Sequence, residues 1–337
     1  MHLLLILFLV FSLVLCFFYR LAGAQGIGVN YGLLGNNLPP PNSVINLLKH
    51  KNIQKVRIFE PNHDVLRALG NSGIEVVVGV RNEDLEKLSS DPSFAIQWIN
   101  TNVVPYAQAT IIRYVSAGNE VIPGPLAQFV VGAMKNLDSA LKSANLHIPV
   151  STAIHFAAIG QSYPPSNGLF SDVAASIMAP IIDFLEYKEY PLLANVYPYF
   201  AYICDPQSVG LDYALGNANS VIVSDGILKY NNLFNAMVDT MYSAVEKLGG
   251  TSVRIVVSET GWPSAQNGDI ATISNAQDYV NNVLAHVNSS VGTPKRPGHS
   301  TETYIFALFN ENLKAPGTEQ NFGMYYPDMS EVYPVRI

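Results

Sequence analysis

Short apolar segments rich in β-branched residues recur along the chain, with longer amphipathic stretches between them. Most of these segments are continuous apolar runs without alternating polar positions, which is typical of parallel strands buried on both faces. The pattern predicts eight strands, at residues 27–31, 55–59, 75–80, 111–117, 149–154, 192–199, 254–258 and 303–309.

Helix signals fill the stretches between the predicted strands. Pro41 and Pro92 each open a helical pattern, residues 128–144 form a long amphipathic run, and residues 233–248 run into Gly249, a helix stop. Eight β–α units predict an α/β fold, the (β/α)8 TIM barrel, which typically takes ~250 residues. A doubly wound open sheet is the alternative, but it would normally carry a Gly-rich phosphate turn, and none is convincing here.

The N-terminal residues before the first predicted strand have a pattern of their own. The run from Leu3 to Phe18 is apolar apart from Ser12, and Ala22 and Ala24 supply the small residues of a signal-peptidase site. We therefore expect residues 1–24 to be a signal peptide and residues 25–337 to form a single barrel domain. An uncleaved anchor helix is the alternative, but the run is shorter than the ~20 residues that a membrane span needs.

Composition and charge exclude several classes of function. The formal charge is −7 and no Lys/Arg run occurs, so the footprint of a nucleic-acid-binding protein is missing. The histidines are scattered, so we expect no metal, and Ser258 lacks the elbow of a serine hydrolase. Cleavage of the leader removes Cys16 and leaves Cys204 without a disulfide partner; we expect Cys204 to be a buried or partly buried small hydrophobe. Asn288 begins an Asn-Ser-Ser sequon and is a candidate for glycosylation after export.

Two glutamates stand at predicted strand ends, where catalytic groups of a TIM barrel lie. Glu120 follows the fourth strand and Glu259 ends the seventh, so the two face each other across the barrel mouth. Cleavage of a glycosidic bond needs one protonated and one ionised carboxyl group. A separation of about 5–5.5 Å gives retention and roughly 6.5–9.5 Å gives inversion, and the residue pattern leaves this choice open.

Aromatic side chains are needed to stack on the apolar faces of sugars. Tyr31, Tyr197, Phe200 and Phe322 lie at or after predicted strand ends and are expected to line a cleft. Trp262 fits either the cleft or a packed corner. Phe94 and Trp98, spaced along one predicted helix, are expected in the core.

From residue 27 to the C-terminus the chain resembles the plant β-1,3-glucanases of glycoside hydrolase family 17. The opening strand Ile27-Gly-Val-Asn-Tyr-Gly32, the sixth strand Leu193-Ala-Asn-Val-Tyr-Pro-Tyr-Phe200 and the segment Val257-Ser-Glu-Thr-Gly-Trp-Pro-Ser264 carry the resemblance. Thr260 stands where Ser is commoner in that family.

The resemblance implies a retaining enzyme with a (β/α)8 barrel, in which Glu120 is the general acid/base and Glu259 the nucleophile. It also implies that Asn119 binds a sugar hydroxyl. Glu311, Lys314 and Glu319 match charged positions of the family, which we interpret as a network tuning Glu120; an ordinary rim salt bridge between Lys314 and Glu319 is the alternative.

The expected function is therefore endo-acting hydrolysis of β-1,3-glucan, such as callose or fungal-wall glucan, by a monomeric extracellular enzyme that needs no cofactor. A role in plant defence follows from the resemblance only. A β-1,3-1,4-glucanase with the same two glutamates is one alternative, and a glucan-binding wall protein without turnover is another.

Overall fold

The computed structural model describes residues 26–336. The expected signal peptide, its cleavage before Gln25, and Cys16 lie outside these residues. Within residues 26–336, no helix combines the length and the apolar character needed to cross a membrane.

Eight parallel strands close into a barrel, each hydrogen-bonded to the next along the chain and the eighth to the first. In order they are β1 Gly28–Asn30, β2 Lys55–Ile58, β3 Glu75–Gly79, β4 Ile111–Asn119, β5 Val150–His155, β6 Leu192–Asn195, β7 Ile255–Thr260 and β8 Thr303–Ile305. Closure is direct: Val29 of β1 pairs with Val56 of β2 on one side and Ile305 of β8 on the other. The predicted TIM barrel is confirmed, and the open sheet is wrong.

Ten α-helices occur in the segments that connect or follow the strands within residues 26–336. They are α1 Pro41–His50, α2 His63–Ala68, α3 Leu85–Ser90, α4 Pro92–Asn102, α5 Val130–Ser143, α6 Asp172–Lys188, α7 Pro198–Cys204, α8 Leu211–Leu215, α9 Leu233–Lys247 and α10 Ile273–Asn288. Side-chain caps fix several of their starts, as when Asn232 Oδ1 accepts from the backbone N–H of Asn235 at 2.8 Å.

Short 3-10 turns and three two-stranded hairpins complete the connections. The turns are Asn82–Asp84, Ala127–Phe129, Phe156–Ala158, Pro165–Asn167 and Thr318–Asn321. The hairpins pair Ile159–Gln161 with Leu169–Phe170, Val223–Asp225 with Leu228–Tyr230, and Gly292–Thr293 with Arg296–Pro297.

Two strands, the sixth and the eighth, are each four residues shorter than predicted. The sixth ends at Asn195, and Pro198 begins α7, because proline lacks the N–H that a strand ladder needs and fits the first turn of a helix. The eighth ends at Ile305, and the chain then leaves the barrel wall.

Side chains fill the barrel interior and close one end of it. A cluster of buried side chains fills the interior of the barrel; its members are Val77, Tyr114, Ala153, Leu193, Val256 and Tyr304. Below it, beside the start of β8, Arg113 donates two hydrogen bonds of 2.6 Å to the buried Glu302 carboxylate. The opposite, C-terminal end of the barrel is therefore left to hold a functional site.

Three expectations about single residues can be compared with the structure. Trp98 is buried as expected, whereas Phe94 is only partly buried and packs on the core from outside. The expectation for Cys204 is wrong: as the last residue of the short helix α7 it is exposed. Asn288, the last residue of α10, is exposed, as a glycosylation site requires.

Candidate active site

A cavity of about 910 Å³ opens at the C-terminal end of the barrel. Its volume lies in the usual range of ligand sites. Every glutamate, lysine, asparagine and aromatic residue proposed for the site lines it, namely Tyr31, Asn119, Glu120, Tyr197, Phe200, Glu259, Glu311, Lys314, Glu319 and Phe322. Trp262 does not; it is fully buried, donates from Nε1 to the carbonyl of Ile270, and forms a packed corner.

Glu259 is held by three hydrogen-bond donors. It lies at a register shift near the end of β7 and is 5 % exposed. Its Oε1 accepts from Arg57 Nη1 at 2.7 Å and from Asn195 Nδ2 at 2.9 Å. Its Oε2 accepts from the hydroxyl of Tyr197 at 2.7 Å. Both oxygens are thus positioned as acceptors, which is the arrangement of an ionised carboxylate.

Opposing effects act on the pKa of Glu259. Burial raises it and the guanidinium of Arg57 lowers it, with a net rise above the usual range. The nearby Glu120 also raises this pKa, while the hydroxyl of Tyr197 lowers it. Burial holds the pKa of Tyr197 well above its ordinary value, so this hydroxyl keeps its proton and remains a donor to Glu259.

Glu120 is placed by an unusual stretch of backbone at the end of β4. Gly118 has φ +82° and Glu120 itself has φ +56°, both in the left-handed region that non-glycine residues rarely adopt. The pairing with β5 shifts register between Ser116 and Asn119. The backbone N–H of Glu120 still donates to Ala153, at 2.9 Å, while its side chain stands exposed in the cavity. The irregular strand end therefore aims this carboxyl into the cleft.

One side-chain nitrogen joins the two glutamates. Asn195 Nδ2 lies 2.8 Å from Glu120 Oε1 and 2.9 Å from Glu259 Oε1. These two oxygens are therefore no more than about 5.7 Å apart. This upper limit for one pair of oxygens lies below the roughly 6.5–9.5 Å separation of an inverting pair and is compatible with the about 5–5.5 Å separation of a retaining pair.

Asn119 is tied into the same network. Its Oδ1 accepts from Arg57 Nη2 at 2.7 Å and from Asn195 Nδ2 at 3.2 Å. Asn82 clamps its backbone, accepting from the N–H at 2.8 Å and donating to the carbonyl at 3.0 Å. The carbonyl oxygen of the Asn119 side chain is thus engaged by protein, which leaves its amide N–H groups for a ligand.

Three charged residues after β8 line the cleft: Glu311 and Lys314 form an ion pair, and Glu319 lies apart from it. Lys314 Nζ lies 3.4 Å from Glu311 Oε2, and Glu311 Oε1 accepts from the backbone N–H of Leu34 at 2.7 Å. Glu319 lines the same cavity half-buried, with no ion pair to Lys314 among the contacts of the described residues. The charge of Lys314 also lowers the pKa of Glu259, as a smaller effect than burial and Arg57.

The four cleft aromatics differ in exposure. Tyr31, Tyr197 and Phe322 are buried, whereas Phe200 is 39 % exposed. Tyr197 packs against Phe200 with ring centroids 5.2 Å apart and against Phe322 at 6.0 Å. Phe200 is therefore the ring of this set that offers a face to a ligand, and the buried rings support it.

Sequence reasoning missed Arg57 and Asn195. Arg57 is buried within β2, and Asn195 ends β6; together they contact Asn119, Glu120 and Glu259. A charged residue inside the apolar strand 55–59 was a usable signal, because arginine is rarely buried unless it is paired. Asn195 ends a buried strand as Asn119 does, which was a weaker signal.

Among residues 26–336, no group of three or more histidine, cysteine, aspartate or glutamate side chains is arranged to hold a metal ion.

Comparison with known proteins identifies the family of the chain. The protein-family model described as "Glycosyl hydrolases family 17" matches residues 27–337 of the chain. A putative glucan endo-1,3-beta-glucosidase of Hordeum vulgare is 54% identical over 317 residues, covering 94% of this chain and 98% of that protein. Lichenase-2 of the same species is 45% identical over 312 residues, covering 92% of this chain and 98% of its own length.

A solved structure has the same fold at high sequence identity. It is that of a beta-1,3-glucanase and allergen of Cryptomeria japonica pollen, with a TM-score of 0.89 and 52% identity, covering 92% of this chain and 98% of that one.

Proposed function

The chain belongs to glycosyl hydrolases family 17 and is a glycoside hydrolase, and from this premise we propose that it cleaves β-1,3-glucan internally by a retaining double displacement. The observation that carries the mechanism is the single nitrogen of Asn195 that contacts both Glu120 and Glu259.

In the first step Glu120, protonated, gives its proton to the glycosidic oxygen as the bond from that oxygen to the anomeric carbon breaks. An ionised oxygen of Glu259 attacks the anomeric carbon from the opposite face and forms a glycosyl ester. The exposure of Glu120 in the cleft suits exchange of this proton, and the three donors on Glu259 suit an anion.

In the second step a water molecule enters where the leaving chain was. Glu120, now ionised, takes a proton from this water, whose oxygen attacks the anomeric carbon and displaces Glu259 as a carboxylate. The product keeps its anomeric configuration, and both glutamates return to their starting protonation states.

Arg57, Tyr197 and Asn195 are proposed as positioning residues for Glu259. Their donors stabilise the carboxylate that leaves in the second step, in a site whose burial would otherwise favour the neutral acid. Asn119 is proposed to bind a sugar hydroxyl through its amide N–H, and Phe200 to stack on a sugar face.

The relatives support β-1,3-glucan as the substrate. The Hordeum vulgare relative that is 54% identical carries the name of an endo-1,3-β-glucosidase, and the Cryptomeria japonica structure is that of a β-1,3-glucanase. Mixed-linkage β-1,3-1,4-glucan is the second candidate, because Lichenase-2 is 45% identical over nearly its whole length. We further propose that residues 1–24 are removed on export and that the enzyme acts outside the cell as a monomer, on callose or fungal-wall glucan.

Release of reducing ends from laminarin and from a mixed-linkage barley-type glucan tests the proposal. We expect the mature protein to act on laminarin, and Glu259→Gln to lose at least about 10⁴-fold in kcat because the nucleophile is gone. Circular dichroism should show that the variant is folded. Preference for the mixed-linkage polymer would shift the substrate to the second candidate, and an active Glu259→Gln would remove Glu259 from the mechanism. No release from either polymer would favour a glucan-binding wall protein.

A further inference from the structure

Two charged residues on the β2–β3 side of the catalytic cleft take no part in the proposed mechanism. Glu60 follows β2 and Arg81 follows β3, and both line the cavity of about 910 Å³. Arg81 Nε donates to Glu60 Oε2, so the two side chains form an ion pair. The Arg81 side chain is 59 % exposed and that of Glu60 is 42 % exposed, and an ion pair so exposed adds little to stability. Stability of the fold therefore does not account for this Arg81–Glu60 pair.

The pair lies close to the catalytic network. Asn82, which directly follows the arginine of the pair, binds the backbone of Asn119 through hydrogen bonds of 2.8 Å and 3.0 Å. The glutamate of the pair comes three residues after Arg57, whose guanidinium contacts Asn119 and Glu259. Three residues of extended chain span at most about 11 Å. A polymer whose reacting sugar lies against Glu259 can therefore reach the pair with another sugar of the same chain.

Both members of the pair keep hydrogen-bonding groups that no protein atom uses. Within residues 26–336, no acceptor contacts Nη1 or Nη2 of Arg81, and no donor contacts Oε1 of Glu60. The pair thus offers charged donors and a charged acceptor beside one another. A sugar hydroxyl both donates and accepts, so hydroxyls of one sugar can bond to both members. Hydrogen bonds that involve a charged group are the stronger kind.

The surroundings of the pair favour an uncharged ligand with an apolar face. Glu83 is exposed and lines the same cavity, so two acids and one base leave a net negative charge that repels anions. Phe59 also lines the cavity and is only partly buried, with the guanidinium of Arg57 4.7 Å from its ring centre. A pyranose presents hydroxyls at its rim and C–H groups on its faces, so it matches the charged pair and the neighbouring ring together.

We propose that the Arg81–Glu60 pair is a subsite of the cleft for a glucosyl unit of the β-glucan chain other than the unit that reacts. Arg81 donates to a hydroxyl of this unit, Glu60 accepts from one, and Phe59 contacts its C–H face. The inference rests on the proposed function, because it assigns a place to a further unit of the same substrate. Chains long enough to reach the pair are bound more tightly, which lowers KM and raises kcat/KM.

Hydrolysis of laminari-oligosaccharides of increasing length tests the subsite. In the parent enzyme, kcat/KM should rise at the chain length that first reaches the pair. Arg81→Met keeps an apolar stem and removes the donors, so it should lower kcat/KM at least about tenfold for chains of that length and longer, mainly through KM. Shorter chains should be hydrolysed at the parent rate. Glu60→Gln should lower kcat/KM at the same chain length, because a neutral amide accepts less strongly and no longer pairs with the guanidinium.

Arg67→Met is the matched control. Arg67 forms an exposed ion pair with Asp64 on α2, and neither residue lines the cleft. This variant should keep the chain-length profile of the parent. An ion pair with only a structural role would change thermal unfolding and leave the dependence of KM on chain length as it was. A parental profile in folded Arg81→Met or in folded Glu60→Gln would overturn the proposal.

Isothermal titration with laminarihexaose separates this inference from the proposed function. The protein carries Glu259→Gln so that no bond is cut. Adding Arg81→Met should weaken binding at least about tenfold, whereas adding Arg67→Met should leave the affinity unchanged. Equal affinities of the two double variants, with a parent that hydrolyses laminarin, would overturn the inference alone. A parent that hydrolyses no β-glucan would overturn the proposed function, and the inference would fail with it if the Glu259→Gln protein also did not bind laminarihexaose.

Discussion

Asn195 shows how much of the site rests on one side chain. Its Nδ2 reaches three oxygens, those of Glu120, Glu259 and Asn119. Its Oδ1 accepts from Ser258 Oγ at 2.7 Å and from Arg57 Nη1 at 3.3 Å, which fixes the orientation of the amide. An amide held in this way limits how far the two carboxyl groups can separate.

We predict that Asn195→Ala lowers kcat and moves the acidic limb of the kcat/KM profile to higher pH by about one pH unit. The donor favours the ionised form of Glu259, and loss of a hydrogen bond to a charged group is worth roughly one unit of pKa. Initial rates on laminarin across the pH range measure this shift. An unchanged acidic limb in a folded variant would show that Asn195 does not act on the nucleophile.

The role of Glu120 as general acid can be tested by comparing substrates with different leaving groups. Glu120→Gln should slow hydrolysis of laminarin by about 10²–10⁴-fold, because the glycosidic oxygen then departs without a proton. Aryl glucosides with activated leaving groups need little protonation and should lose far less in their first step. Burst kinetics on both substrates make the comparison, and equal losses would contradict the acid assignment.

At the scale of elements, irregular strand ends place the reactive groups. β4 and β7 each shift register near their last residues, just where Asn119 and Glu259 lie. The loop after β1 contributes in another way, because Gly32 packs against the carboxylate of Glu311. A Cβ added at Gly32 would lie 2.3 Å from Glu311 Oε2.

We therefore predict that Gly32→Ala displaces Glu311 and lowers kcat/KM on laminarin by about tenfold, since a small misplacement in a catalytic site costs up to about 10²-fold. Gly210→Ala is the matched control, because a Cβ there meets nothing within 4 Å and Gly210 has an ordinary φ of −69°. Steady-state kinetics and thermal unfolding are measured on both. Equal activity of the two variants would mean that Glu311 moves without consequence.

At the scale of the whole molecule, the two ends of the barrel differ: one end holds the cleft and the other holds a buried network of charged residues. Glu302 lies at the end opposite the cleft, where it accepts from Arg113, Tyr114 and Tyr304, with Lys55 Nζ 3.8 Å from its Oε1. Burial raises the pKa of Glu302, but the hydrogen bonds from Arg113 and the nearby cations outweigh burial and leave it below its usual value.

A carboxylate with a lowered pKa stabilises the fold above its unfolded-state pKa of 4.5, and this contribution is lost as pH falls through the folded pKa. We predict that Glu302→Gln lowers the free energy of unfolding by about 3 kcal/mol at pH 7, and by less in acid. Urea unfolding at pH 7 and near pH 3 provides the comparison, and kcat of the folded variant should be unchanged. An equal loss of stability at both pH values would contradict a role for the charge of Glu302.

The sequence alone determined the barrel and the positions of the two glutamates along it. Strand patterns are local, and closing eight parallel strands brings their C-terminal ends together whatever the details, so residues at those ends meet at one mouth. The aromatic positions were found in the same way, but their exposure was not, because packing between rings decides which face is free.

Only the tertiary structure decided which polar side chains meet there. Arg57 contacts Glu259 across 202 residues of chain, and Asn195 contacts Glu120 across 75. Such contacts depend on barrel register, on the bulged ends of β4 and β7, and on the depth at which each side chain lies. The sequence could therefore mark Glu120 and Glu259, but not the exposure of one, the burial of the other, or the amide that joins them.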